Sequence, residues 1–175
     1  MPLVLNGTTG VQDNSGAFVR GTSVSASGTS VDFTSIPSWV KRVTVMFDAV
    51  STNGTSIIQV QLGDSGGIEN TGYTSTGGFI QPSPTFAGAA NSTTGFPIQS
   101  GTPAATLSFC GSMIITNLNG NTWTYMSIIT GQAATAAMLF GTGSKTLSAI
   151  LDRVRITTVN GTDTFDAGSI NILYE

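Results

Sequence analysis

The stretch VKRVTVMFDAV, residues 40–50, constrains the fold more than any other, because its apolar side chains recur at every second position. Successive side chains point to opposite faces of a β-strand, so Val43, Val45 and Phe47 share one face and Arg42, Thr44, Met46 and Asp48 the other. The odd-numbered face is predicted to be the core face. The next run, SIIQVQLG, has the same period: Ile58, Val60 and Leu62 are predicted to point inward and Gln59 and Gln61 outward. Between them, Asn53-Gly54 offers the positive φ of a tight turn, so the two runs are predicted to pair as an antiparallel hairpin.

The same logic recurs along the chain. In TLSFCGSMIITNLNGNTWTYMSIIT, Leu107, Phe109, Met113 and Ile115 share a face, Asn119-Gly120 turns the chain, and Trp123 and Tyr125 begin the return strand. Near the C-terminus, Val154 and Ile156 alternate with Arg153, Arg155 and Thr157, and a loop leads to Ile170, Ile172 and Tyr174. Residues 21–33 read as an early strand broken by Gly28, and 36–39 as a tight corner. Residues 64–104, with four prolines and many glycines, are expected to hold one or two short strands within long surface loops. Residues 133–140, AATAAMLF, are hemmed by Gly131 and Gly141 to less than an isolated helix needs and read as strand or loop. Nowhere does an i, i+3, i+4 stripe run for ten residues. The expected fold is all-β: two antiparallel sheets packed face to face, jelly-roll-like, over residues 21–175.

Charged residues are 9% of the chain, against about 25% in an average soluble protein. Ser, Thr and Gly fill 69 of the 175 positions, so hydroxyls and amides must supply the surface polarity. Six basic residues, none in a run, and a net charge of -3 give no field for phosphates, so neither nucleic acid nor membrane insertion is expected. Nothing at the N-terminus reads as an export signal. With no histidine, the commonest metal ligand and general base is missing.

The closing stretch carries Asn160, Asp163 and Asp166 in oxygen-ligand spacing, but it matches neither the ladder nor the terminal Glu of a calcium loop. The expected role is punctuation: Asn160-Gly161 turns the chain, the two aspartates cap loop amides, and Gly168 admits the last strand. No carboxylate pair, serine triad or phosphate loop stands out, so no catalytic residue, metal or cofactor is expected. Cys110, beside core-facing Phe109, reads as a packed thiol. Arg153 with Arg155, and Arg42 with Asp48, share strand faces and suit either ion pairs or solvation. Tyr73, Phe79, Phe86 and Phe96 are isolated rings in a polar segment: candidates for stacking on a ligand such as a sugar, or a small satellite core beneath the loop. Met46, Ile57, Ile114 and Leu173, together with either Met126 and Ile128 or Ile129, are apolar where an outer face is expected. In so charge-poor a chain they suggest a subunit interface.

The stretches 27–56, 91–96, 119–123 and 151–175, above all IPSWVKRVTVMF and the closing 25 residues, resemble a domain found at the C-terminal end of tail-fibre proteins of tailed bacteriophages and prophages. The resemblance implies a non-enzymatic virion structural protein, β-rich and homotrimeric. It would be exposed on the particle as a tail-fibre or receptor-binding tip, bound to other virion proteins of tail or capsid and to a host-surface glycan or protein. Only residues 1–20 precede the domain here; they are expected to act as an attachment arm. That short arm makes a capsid decoration or head-fibre protein an alternative, and a carbohydrate-degrading tail enzyme is a third.

Overall fold

The computed structural model describes residues 5–6, 10–11, 18–81, 86–132 and 137–175, and every regular element among them is a β-strand. In chain order these are β1 (Leu5–Asn6), β2 (Gly10–Val11), β3 (Val19–Arg20), β4 (Val24–Ser25), β5 (Ser30–Phe33), β6 (Arg42–Thr52), β7 (Ile58–Asp64) and β8 (Gly67–Ile68). There follow β9 (Tyr73–Gln81), β10 (Phe86–Ser92), β11 (Phe96–Pro97), β12 (Ser108–Asn119), β13 (Thr122–Gln132), β14 (Ala137–Thr146), β15 (Arg153–Thr158) and β16 (Phe165–Tyr174). They form a large sheet in the order β10-β9-β14-β13-β12-β6-β16-β3, with β4 also on β16, and a small sheet in the order β11-β7-β15-β5, with β8 on β7. All ladders are antiparallel, and β1 and β2 pair only with each other. Val19 and Arg20, placed in the arm by sequence, belong to the sandwich: they pair with Tyr174 and Leu173.

The period-two reading of 40–50 holds, with Val43, Val45 and Phe47 buried. The predicted hairpin does not form. β6 lies between β12 and β16 in the large sheet, and β7 lies beside β15 in the small one, so residues 53–57 cross between layers. Residues 159–164 make the matching crossing from β15 to β16. β6–β7 and β15–β16 are thus two ribbons laid side by side and folded over together, the arrangement that gives the sandwich its jelly-roll-like character. Gly54 accordingly does not take a positive φ. It is required because a methyl group there would lie 2.0 Å from Asp163 Oδ2.

The β12–β13 hairpin forms as predicted, with Asn119 opposite Thr122 and Gly120 at φ 52°. Asn117 reinforces it, its Nδ2 donating to the carbonyls of Gly120 and Thr122. The break at Gly28, φ 69°, lets the chain leave the large sheet after β4 and enter the small one at β5. Residues 64–104 hold more strand than their composition suggests. β9 and β10 form seven consecutive residue pairs at the edge of the large sheet. The glycines that read as loop are there for close packing: a methyl at Gly77 would lie 2.3 Å from the carbonyl oxygen of Gln99, and one at Gly78 2.5 Å from the Phe140 ring. Of the strand-or-loop segment 133–140, residues 137–140 open β14, and 133–136 lie outside the described residues.

Between the sheets Val43, Phe96, Phe109, Met113, Ile115, Ile129, Ile156 and Ile170 are fully buried, each large side chain contributing roughly 1.5–3 kcal/mol of transfer free energy. A row of bulges crosses the large sheet. Cys110 on β12 faces the extra pair Asp48 and Ala49 on β6, with Ala49 at φ 51° and its N–H donating to Cys110 Sγ at 3.2 Å. Gly111 (φ 144°) and Gly168 (φ 88°) flank the bulge on the neighbouring strands. Such insertions increase local twist and bend the strand that carries them.

Candidate functional site

Two of the four candidate rings are core residues. Tyr73 is 2% exposed and Phe96 0%, and they meet edge to face at 5.0 Å between centroids. Phe96 also stacks on Tyr125 at 4.2 Å. The Tyr73 hydroxyl accepts from the N–H of Leu62 at 2.7 Å and donates to the carbonyl of Glu69, fastening β9 of one sheet to β7 of the other. Burial pushes the Tyr73 phenol well above its ordinary range. Neither ring has a face open to a sugar, because each is the apolar filling of a strand that reads as loop only through its glycines. Phe79 is partly buried against the same core and lines a cleft with Leu107, Leu139 and Gln99. Phe86 opens β10, and its side chain lies outside the described residues.

The closing stretch joins the two crossings. Asn160 Oδ1 accepts from the N–H groups of Thr162 and Asp163 and from the Thr158 hydroxyl, while its Nδ2 donates to Asp163 Oδ1 at 2.7 Å. Asp163 Oδ2 accepts from the N–H of Ser56, and Asn53 and Thr164 exchange two further bonds. The hydrogen bonds from Asn160 and Ser56 hold the Asp163 carboxyl below the usual carboxylate range. Asp163 caps a loop amide as predicted, but on the opposite crossing; Asp166 accepts from the Ser51 hydroxyl instead.

A second polar cluster fastens the other end of the layers. Ser148 Oγ lies 2.7 Å from both Asp64 Oδ2 and Glu69 Oε1, and its one hydrogen serves either. Glu69 pairs with Lys145, which is buried beside the Tyr73 ring. Burial would raise the Glu69 carboxyl, but Lys145 and Ser148 outweigh it and the net shift is downward. Three of the four arginines are paired: Arg155 forks onto Asp32 at 2.7 and 2.8 Å, Arg153 meets Asp152, and Arg42 meets Glu175 rather than Asp48.

The outer face of the large sheet is the least ordinary surface. Strand register places Leu173, Thr44, Ile114 and Met126 in one row, and Asn171, Met46, Ser112, Ile128 and Phe140 in the next. Met138 and Ile80 follow opposite Thr130. Met46, Ile114 and Leu173 are half-buried on this face; Ile57 is not on it, lying in the crossing 53–57. Of the alternatives on β13, Met126 and Ile128 are outward and exposed, and Ile129 is core. Met126, Ile128, Met138, Ile80 and Phe140 are between 40% and 61% exposed. From β9 through β14 and β13 to β12 the outward positions hold only apolar, hydroxyl, amide, thiol or glycine residues. Sequence reasoning missed Ile80, Met138 and Phe140. Their alternation with Phe79, Ala137 and Leu139 was the available signal, hidden by the surrounding Gly and Ala. No helix among the described residues is long and apolar enough to cross a membrane. No protein-family model, curated protein or solved structure matches the chain.

Proposed function

We propose that this chain is a non-enzymatic structural protein of a bacteriophage particle, a homotrimer that forms a tail-fibre or receptor-binding tip. The observation that carries the reading is the apolar outer face of the large sheet across β9, β14, β13 and β12, whose outward positions hold no charged residue. Its five exposed side chains present roughly 500 Å² of largely apolar surface, a large share of the ~800 Å² that each partner of a stable interface buries. With no charge at the outward positions of those strands, copies meet there without repulsion, and burial removes an aggregation hazard. The resemblance to phage tail-fibre domains supplies the particle and the three-fold count. The absence of chemistry is supported by the carboxylates: among the described residues every one except Asp48 is engaged in an ion pair or hydrogen bond.

Light scattering tests the assembly. The chain should show three times its 17.9 kDa mass at micromolar concentration, and Met126→Lys with Ile128→Lys should reduce this to one chain with unchanged β-sheet circular dichroism. A monomeric parent chain, or a doubly substituted one that stays assembled, refutes this face as the interface. Antibody labelling of intact particles then reads tail against capsid position.

A further inference from the structure

On the opposite side of the molecule, the outer face of the small sheet carries a polar groove of about 290 Å³. Its floor is built from the outward residues of β7 and β15, where register sets Gln59 beside Thr157 and Gln61 beside Arg155. These glutamines point outward as their spacing predicts, yet they are 2% and 7% exposed, because the segment 92–95 folds over them. That segment also fixes their amides. Gln61 Nε2 donates to the carbonyl of Thr94, and Gln59 Oε1 accepts from the Thr94 hydroxyl. One polar atom of each remains without a protein partner, a donor at Gln59 Nε2 and an acceptor at Gln61 Oε1, and both residues line the groove. Arg155 uses Nε and Nη2 on Asp32, which leaves Nη1 as a further donor while cancelling the net charge. Asn70 stands exposed on the rim with an unpaired amide.

From this arrangement we infer that the groove is a binding site for a neutral saccharide. Two immobilised amides cost little side-chain entropy on binding and present a donor and an acceptor side by side, the complement of vicinal sugar hydroxyls. An anion would need net positive charge, which Asp32 removes. A peptide would need apolar pockets or a free strand edge, and the groove floor lies on strands paired on both sides. The volume, at the low end of small-molecule sites, suits one sugar ring held by hydrogen bonds rather than an extended chain. This assignment deepens the attachment reading and rests on it for biological meaning; the chemistry belongs to one subunit and does not depend on assembly.

The test is side-chain amide NMR of the labelled full chain titrated with lactose, maltotriose and chitotriose, with sialyllactose as the charged comparison. At least one neutral sugar should shift the Gln59 and Gln61 amide signals, saturating by about 10 mM as a Kd near 1 mM requires. Gln59→Met, close in shape but without the amide, should abolish the shifts. Asn70→Ala, on the exposed rim, should keep the parent melting temperature and weaken binding about fivefold, the worth of one hydrogen bond. No shift with any neutral sugar, shifts confined to sialyllactose, or full affinity in Asn70→Ala with binding retained in Gln59→Met would each overturn the assignment. Molecular mass measured on the same samples reports failure of the assembly reading separately.

Discussion

Phe96→Ala removes the residue on which the two layers converge. Its ring is fully buried, stacked on Tyr125 at 4.2 Å and edge-on to Tyr73 at 5.0 Å, and it comes from β11, a strand of only two residues. Truncating a buried Phe costs about 3–5 kcal/mol through lost transfer energy and the cavity left behind. The upper half of that range applies here for two reasons. Two ring pairs are lost, each worth about 0.5–1.5 kcal/mol beyond burial. The facing rings also cannot relax into the gap, because the Tyr73 and Tyr125 hydroxyls are tied to Leu62 and Pro97 respectively. A loss of about 4–5 kcal/mol lowers Tm by roughly 8–20 °C in a protein of this size. Urea unfolding followed by near-ultraviolet circular dichroism measures it, with Phe18→Ala as comparison. Phe18 is 67% exposed, so its loss should stay within about 0.5 kcal/mol. If Phe96→Ala costs under about 1 kcal/mol, or no more than Phe18→Ala, the ring is not the core element described and its role as a ligand platform reopens.

Gly168→Ala should cost about 3 kcal/mol, since a methyl there lies 2.4 Å from the Ala49 carbonyl oxygen at φ 88°, whereas Gly120→Ala, with open space at φ 52°, should cost only about 1–2. Equal losses in calorimetry would mean that the bulge row does not enforce close approach. Asp163, Asp64 and Glu69 all have depressed folded values, so their stabilisation is complete above the ordinary carboxylate range and is lost as pH falls through the folded ones. Melting temperature should therefore hold level near neutrality and fall below about pH 4, less steeply in Asp163→Asn; an unchanged acid slope in that variant argues against the clamp.

The strands themselves were legible because alternation is a local property. Val43, Val45 and Phe47, then Ile58, Val60 and Leu62, announce their inward faces from spacing alone, and Asn119-Gly120 announces its turn because a positive φ is a demand on one residue. Which strand neighbours which was not legible. Asn53-Gly54 and Asn119-Gly120 are the same dipeptide in similar surroundings, yet one crosses between sheets and the other closes a hairpin. What separates them is Asp163, more than a hundred residues from Gly54, whose carboxylate fills the space a side chain would need.

The candidate sites divide in the same way. Met46, Ile114 and Leu173 were readable as outward apolar residues from their parity, while Met126 with Ile128 or Ile129 stayed alternatives; only strand order chooses Met126 and Ile128 and assembles the set with Ile80, Met138 and Phe140 into one surface. Tyr73 and Phe96 read as either ligand-stacking rings or a small satellite core, because polar and glycine-rich neighbours surround them in sequence; they belong to the main core. In the fold those glycines let a second layer close over the rings. Gln59 and Gln61 were placed on the correct face, but their burial was not legible, since covering an outward side chain depends on a segment more than 30 residues later folding back across it. Period and turn chemistry act between neighbours in the chain, so the sequence alone settled the all-β class, the inward faces and the turns at Asn119-Gly120 and Asn160-Gly161. Sheet order, the joined crossings and the filling of each face are contacts between distant residues, and those the tertiary structure alone decided.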